Sequence, residues 1–431
     1  MTARALALEL LQKAERNDQF LNIALDHALS HGELGEADRK LVATLVYGVT
    51  EKRLTLDYQI DRLSSRPAKE LECSVRTALR LGLYQLIFLD RIPPHAAINE
   101  TVALVHKKAR GLVNAVLRAY TRADGLSLPD RADGVVPYLS IRYSVGLPLT
   151  EKLLSVFGEE KTESILASWE RIPPTTLAVN TLRVTRDELQ AKIPDSLPTT
   201  LSRGGLAVKG AVRSLYGFEE GLFFVQDEAS QLCVEALGAE AGETVLDICA
   251  CPGSKSFGTA IRMKNQGRIL SFDLHEKKLP LIESGAKRLG ITIIEAFAND
   301  GRNFLPEWEG AADRVLCDVP CSGFGVPAKK PELRYKDPAA SAALPAIQRA
   351  LLDTACRYVR MGGVLVYSTC TILPEENEEN VNRFLTSHPD FALEPFTAGN
   401  LRCEAGMLTF LSDEYPTDGF FVARLRRIGK A

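Results

Sequence analysis

Two short segments late in the chain, Asp318-Val-Pro-Cys-Ser-Gly323 and Tyr367-Ser-Thr-Cys-Thr371, hold residues that can do covalent chemistry. Each follows an apolar run that reads as a buried strand, Arg314-Val-Leu-Cys317 and Gly363-Val-Leu-Val366. In an open parallel sheet the carboxyl ends of the strands face one crevice, and ligands bind there. Placed in such a sheet, Cys321, Cys370 and Asp318 converge although the two thiols are far apart in sequence. A thiolate adds to C6 of a pyrimidine and makes C5 nucleophilic enough to take an electrophilic methyl group. The steps need an attacking Cys, a group that serves N3 and a base for the C5 proton. These three residues could supply those parts.

An isolated Cys is ordinarily a small buried hydrophobe. Here Pro320, Ser322, Gly323 and Gly325 surround one thiol, and Ser368, Thr369 and Thr371 surround the other, which places both in polar turns. Asp318-Val-Pro-Cys resembles the Pro-Cys nucleophile of DNA cytosine methyltransferases, so position alone leaves open which thiol attacks.

A second constellation lies upstream. Asp247-Ile-Cys-Ala-Cys-Pro-Gly-Ser-Lys255 follows a strand-like run and precedes a helical one. Gly253 lets the backbone approach a ligand, and a helix beginning there offers free N–H groups. The order Gly-Ser-Lys-Ser is not that of a P-loop, and the Gly-x-Gly-x-x-Gly dinucleotide signature is absent. Asp273 and Asp300 close the next two strand candidates; a carboxylate so placed can accept hydrogen bonds from ribose hydroxyls or reach a base edge. One such acid is ordinarily a strand end or helix cap. Three in sequence, with a glycine loop after the first, favour a nucleoside cofactor. Cys249-Ala-Cys251 is followed by no Cys or His pair at ligand spacing, so no metal is expected.

These residues need elements to hold them. Residues 244–248, 268–272, 291–297, 314–317, 363–367 and 419–425 read as strands alternating with helices, the pattern of an α/β, doubly wound, mostly parallel sheet. Residues 1–125 read as a helical bundle, with Leu6, Leu10 and Ala14, then Leu21, Leu25 and Ala28, then Leu41, Leu45 and Val49 at helical spacing. Residues 126–137 read as a linker, 138–235 as a small α+β module and 236–431 as the doubly wound domain. Residues 1–125 carry 18 Lys/Arg against 15 Asp/Glu and the remainder 34 against 40, a gradient compatible with RNA binding but too weak to argue for it. The start of the chain has no apolar signal region, and the longest apolar stretch is too short to span a bilayer. Nine cysteines, an odd number, suit free thiols in a reducing cytoplasm.

Taken together, the motifs resemble the RNA cytosine-5 methyltransferase (NOP2/Sun) family, in particular its bacterial small-subunit rRNA branch of the Fmu/Sun type. The resemblance spans nearly the whole chain. Residues 1–120 resemble the branch's NusB-like RNA-binding domain, most clearly in Arg39-Lys-Leu-Val-Ala-Thr-Leu-Val-Tyr-Gly48 and Val113-Asn-Ala-Val-Leu-Arg118. Asn180-Thr-Leu-Arg183 and Val225-Gln-Asp-Glu-Ala-Ser230 resemble its small module. The resemblance implies S-adenosylmethionine as cofactor and rRNA as partner, with no membrane and no obligatory protein partner. It implies Cys370 as nucleophile, Cys321 as the thiol assisting proton removal and release, and Asp318 as the residue holding cytosine at N3. The cofactor would lie against Cys249, Ala250, Cys251, Pro252, Gly253, Ser254 and Lys255, with Asp273 and Asp300 at its ribose and adenine and Asp318 also at its edge. Glu375 and Asn377, in Pro374-Glu-Glu-Asn-Glu378, would shape the cysteine loop. Lys329, Lys330 and Arg334 are candidates for phosphate contact.

The chain departs from the family pattern at several positions. Cys251 and Ser254 replace an Ala and a Gly, Val319 an Ala, and Phe324 a small polar residue; the basic loop reads Ala328-Lys-Lys-Pro-Glu332. Ser254 is expected to surrender backbone freedom. The resulting expectation is methyl transfer to C5 of an unstacked rRNA cytosine. Its rivals are the same chemistry on tRNA, DNA methylation through Cys321, and a non-enzymatic RNA-binding scaffold.

Overall fold

The computed structural model describes residues 1–17, 21–30, 34–123, 125–171 and 173–429. They form two compact units, one of Met1–Glu170 with Lys330–Pro338, the other of Arg171–Lys329 with Ala339–Ala431.

The first unit is all-helical. Helix Ala3–Asn17 buries Leu6, Ala7, Leu10 and Leu11, and Glu36–Glu51 buries Val42, Leu45, Val46 and Val49, each a stripe at helical period. Helix Cys73–Phe88 is buried on most of its surface and takes the middle of the bundle. The stretch expected to be a linker and the start of an α+β module belongs to this unit. Residues 135–168 form helices Val135–Tyr143 and Leu147–Ser168. Buried polar side chains fasten the stretch: Thr55 Oγ1 donates to Ile141 O (2.6 Å), and Gln59 exchanges hydrogen bonds with the Ser127 backbone (2.7 and 3.1 Å).

Lys330–Pro338 completes the helical unit. Arg334, 1% exposed, donates to Tyr143 O (3.3 Å) and Trp169 O (2.5 Å). Its neighbour Tyr335 places its hydroxyl 2.6 Å from Thr50 O and its ring 3.7 Å from the Arg53 guanidinium. The expectation that Arg334 contacts phosphate is therefore corrected: a buried guanidinium held by two protein carbonyls is not presented to RNA.

The second unit holds two sheets. In the small antiparallel sheet Thr175–Val179 lies between Gly205–Val208 and Phe223–Val225. The large sheet contains β1 (Thr244–Asp247), β2 (Arg268–Asp273), β3 (Ile294–Ala298), β4 (Ala312–Asp318), β5 (Val359–Thr369), β6 (Phe391–Leu393), β7 (Met407–Phe410) and β8 (Phe420–Arg427). Their order is β6-β8-β5-β4-β1-β2-β3, with β7 beside β8. Strands β1 to β5 pair in parallel, and β8 runs antiparallel to β5. Val364, Leu365, Val366 and Tyr367 are all fully buried, which requires apolar cover on both faces. Val245, Ile269, Leu316 and Val364 point into one core layer, Leu246, Leu270, Val315 and Leu365 into the other. This is a Rossmann-like mixed sheet preceded by an all-α unit, the fold class expected from the alternation. Among the described residues no helix is long and apolar enough to cross a membrane.

Candidate active site

Strands β4 and β5 are parallel neighbours, and their register pairs Asp318 with Ser368. The loops that follow therefore start side by side. The Sγ atoms of Cys321 and Cys370 are 3.0 Å apart, both residues are half-buried, and the Cys370 N–H donates to Cys321 Sγ at 3.2 Å. The hydrogen bond with Cys370, and then burial, hold the Cys321 thiol well above the ordinary range.

Asp318 is held from both sides: Ser368 Oγ donates to Oδ1 (2.6 Å) and Lys255 Nζ to Oδ2 (2.7 Å). Burial works against the Lys255 charge, but the Asp318 carboxylate outweighs it and keeps the ammonium above its usual range. Sequence reasoning placed Lys255 only in the cofactor loop. The fold makes it the link between that loop and Asp318.

A buried polar network underlies the thiol loops. Glu376 Oε2 accepts from Ser322 N (2.9 Å) and from Gln348 Nε2 (2.8 Å), and Tyr367 Oη donates to Glu376 O (2.6 Å). Asn377 receives Thr369 Oγ1 (2.6 Å) and donates to Thr371 O (2.9 Å). Asn377 thus bonds the residues on either side of Cys370, and Glu376, the buried neighbour of half-buried Glu375, ties the Cys321 loop to Gln348. In the sequence Gln348 has no assigned role and Tyr367 only a place at the end of a strand. Their signal was only a polar residue amid apolar ones. A glycine pair closes the far side: Gly325 N donates to Cys370 O (2.9 Å) and Gly419 N to Gly325 O (2.7 Å). A Cβ on Gly325 would stand 1.9 Å from Gly419 O, so the approach demands glycine.

The upstream constellation lies at the ends of β1 to β3. Asp247 is buried; Ser256 Oγ donates to its Oδ2 (2.6 Å), and its Oδ1 has no partner. Burial, with the Asp318 charge adding to it, pushes its carboxyl up to about 7. Ala250 N donates to Phe272 O (2.8 Å) and Cys251 N to Asp273 Oδ2 (3.3 Å), which lays the Cys249–Pro252 turn over the end of β2. Burial and then Asp273 push the Cys251 thiol up to about 12, and burial holds the Cys249 thiol well above its ordinary range. Gly253 has φ +108°, and a Cβ there would strike the Phe257 ring at 2.6 Å. Ser254 opens helix Ser254–Arg262 without positive φ, so the backbone freedom that Ser surrenders relative to Gly is not needed for this conformation. Asp273 and Asp300 both lie at this edge, half-buried; Asp300 receives Arg302 through both oxygens, which holds its carboxyl below the usual range. Leu274, beside Asp273, is 58% exposed.

The basic loop divides in its behaviour. Lys330 is exposed. Lys329 is not a free cation: its Nζ lies 2.6 Å from Asp227 Oδ1 and 2.8 Å from Asp418 Oδ2. That pairing corrects the expectation that Lys329 awaits phosphate.

Residues 234–426 match the family model for 16S rRNA methyltransferase RsmB/F, and residues 1–122 match that of the NusB family. A probable ribosomal RNA small subunit methyltransferase B of Bacillus subtilis (strain 168) is 37% identical, with 99% of each chain covered. Its counterpart in Synechocystis sp. is 36% identical over 99% of this chain and 100% of its own. Among solved structures, that of PH0851 is 26% identical, with a TM-score of 0.81 over 99% of both chains.

Proposed function

The chain belongs to the 16S rRNA methyltransferase RsmB/F family of S-adenosylmethionine-dependent rRNA methyltransferases, and we propose that it methylates C5 of a small-subunit rRNA cytosine through a bond between Cys370 and C6. The observation that carries this reading is the pair of sulfurs 3.0 Å apart at the ends of β4 and β5, with Asp318 on the same edge.

Two thiols in contact differ in what they can do. The one whose proton is held, Cys321, can donate to its partner and stabilise a Cys370 thiolate. That thiolate forms the S–C6 bond, and the displaced electron pair moves into the ring toward N3. N3 takes up a proton as that pair arrives, and we assign Asp318, fixed by Ser368 and Lys255, to hold N3 and deliver it. S-adenosylmethionine, when bound, supplies the electrophilic methyl group. Cys321 then takes the C5 proton while its own proton passes to the departing Cys370 sulfur; the C5–H pair re-forms the C5=C6 bond as the S–C6 bond breaks, and we assign Cys321 to assist both events. The base must leave its stack to reach Cys370, which favours a loop or single-stranded cytosine. Exposed Lys330 is the phosphate contact we assign.

The residues at β1 to β3 fit the cofactor. The start of helix Ser254–Arg262 offers free N–H groups to a carboxylate, and Gly253 carries no Cβ where the turn is tightest. Asp273 and Asp300 would take the ribose and the adenine edge, with exposed Leu274 as apolar cover.

The test is methyl transfer from labelled S-adenosylmethionine to small-subunit rRNA transcript. Cys370→Ala should lose at least about a thousandfold in rate. Cys321→Ala should accumulate an RNA–protein adduct that survives denaturation. Transfer to tRNA but not rRNA would overturn the substrate. An adduct that depends on Cys321 instead would exchange the roles of the thiols.

A further inference from the structure

Beyond the groups that touch the reacting ring, one half-buried charged cluster has no part in the scheme above. Lys329 Nζ bridges Asp227 Oδ1 and Asp418 Oδ2 at 2.6 and 2.8 Å. Asp227 begins helix Glu228–Leu237, accepting from Ala229 N (3.1 Å) and from Thr417 Oγ1 (2.5 Å). Asp418 is 8% exposed and immediately precedes Gly419, whose N–H donates to Gly325 O, while Gly325 N donates to Cys370 O. A continuous path thus runs from the ion cluster through Gly419 and Gly325 to the nucleophile's own carbonyl. The loop bearing Cys321 begins at β4 and ends at Lys329, the last residue before the chain passes into the helical unit.

We propose that Lys329, Asp227 and Asp418 form an ionic staple that positions the Cys321 and Cys370 loops for attack on the base, Lys329 being a positioning residue and not an RNA contact. The assignment rests on the two-thiol reaction proposed above. Three arguments carry it. A half-buried ammonium between two carboxylates is held by charge-assisted hydrogen bonds in one geometry. The glycine pair has no slack, because a Cβ on Gly419 would stand 2.7 Å from Gly325 Cα, so movement at Asp418 is passed on to Gly325. Burial, with the Asp227 charge adding to it, pushes Asp418 up to about 7, so the cluster depends on Lys329 to stay charged. Small misplacement of a reacting group is costly: about 1 Å can cost about a hundredfold in rate.

The test uses the full chain and rRNA transcript with three variants, Lys329→Met, Asp418→Asn and Asp227→Asn, each checked for folding by circular dichroism. Lys329→Met leaves buried Asp418 and half-buried Asp227 without their cation, so Asp418→Asn, which keeps the Lys329–Asp227 pair, guards against a fold that simply fails. Positioning predicts that all three lower kcat by about tenfold to a hundredfold. It also predicts KM for RNA within about twofold of wild type and slower alkylation of Cys370 by iodoacetamide, read by peptide mass spectrometry. A phosphate contact predicts the opposite split: Lys329→Met raises KM for RNA, Asp418→Asn lowers it, and kcat stays put. That split, or wild-type kcat in all three, would overturn the positioning role alone. Absence of transfer by the wild type would overturn the reaction beneath it.

Discussion

Two sulfurs in contact cannot both carry a charge at little cost, and this organises the site at the scale of single residues. The thiol pair, Asp318 and Lys255 are the smallest set that could act, and three of the four were legible as chemistry from residue type and neighbours alone. What the sequence concealed was partnership. Lys255 reads as part of a glycine turn until the sheet brings β1 beside β4, and Glu376 cannot be told from Glu375 until the turn after Pro374 buries one of them. Contact between the thiols makes a sharp prediction. A monosubstituted trivalent arsenical bridges two thiols only when both reach one arsenic atom. Phenylarsine oxide should therefore bind wild type so that Cys321 and Cys370 are protected together from alkylation, and should abolish transfer. Cys321→Ala should leave Cys370 open to alkylation in the arsenical's presence. Independent alkylation of the two thiols in treated wild type would show that they are not in contact.

At the scale of elements, the strands were legible because a strand covered on both faces must be apolar without interruption, as in Gly363-Val-Leu-Val366. Their order was not legible, since nothing local in β4 says that β5 will pair with it. Short pieces escaped for the same reason. β6 and β7 are three and four residues long and gain their structure from β8. The sheet edge also sets an electrostatic property that belongs to no one loop. Asp247 ends β1 among other carboxylates, and burial with the Asp318 field raises it to about 7. Its folded form binds a proton more tightly than the unfolded chain does. The stability this proton contributes is thus present near pH 4 and declines as pH rises toward 7. The shift corresponds to about 4 kcal/mol as an order of magnitude. Urea unfolding at pH 5 and pH 7.5 should show wild type losing more stability over that interval than Asp247→Asn does. Asp418 titrates with the same sign, so the slope in the variant should shrink without vanishing. Equal slopes would show that Asp247 is not the buried acid described.

At the scale of the whole molecule, chain order and compactness part company. Lys330–Pro338 lies between two strands of the catalytic sheet in sequence, yet its contacts make it part of the helical unit. Reading along the chain, a basic loop beside a reactive thiol suggests RNA contact; nothing in composition separates an exposed Lys330 from an Arg334 that is 1% exposed. The difference arises from Tyr143, Trp169 and Glu51, residues more than 160 positions away, which present two carbonyls and a carboxylate to one guanidinium. A buried cation with such partners is a stability determinant, and its removal takes a donor from two carbonyls and a cation from Glu51, which keeps Lys52. Arg334→Met should therefore destabilise the full chain by about 2–4 kcal/mol. Affinity for rRNA transcript at fixed salt, measured below the unfolding transition, should stay within about twofold. Lys330→Ala should do the reverse, leaving the unfolding midpoint in place while lowering affinity and the slope of log affinity on log salt by about one. If Arg334→Met instead reduced the salt slope at unchanged stability, the guanidinium would have to face RNA, and the assignment of Lys330–Pro338 to the helical unit would fail with it.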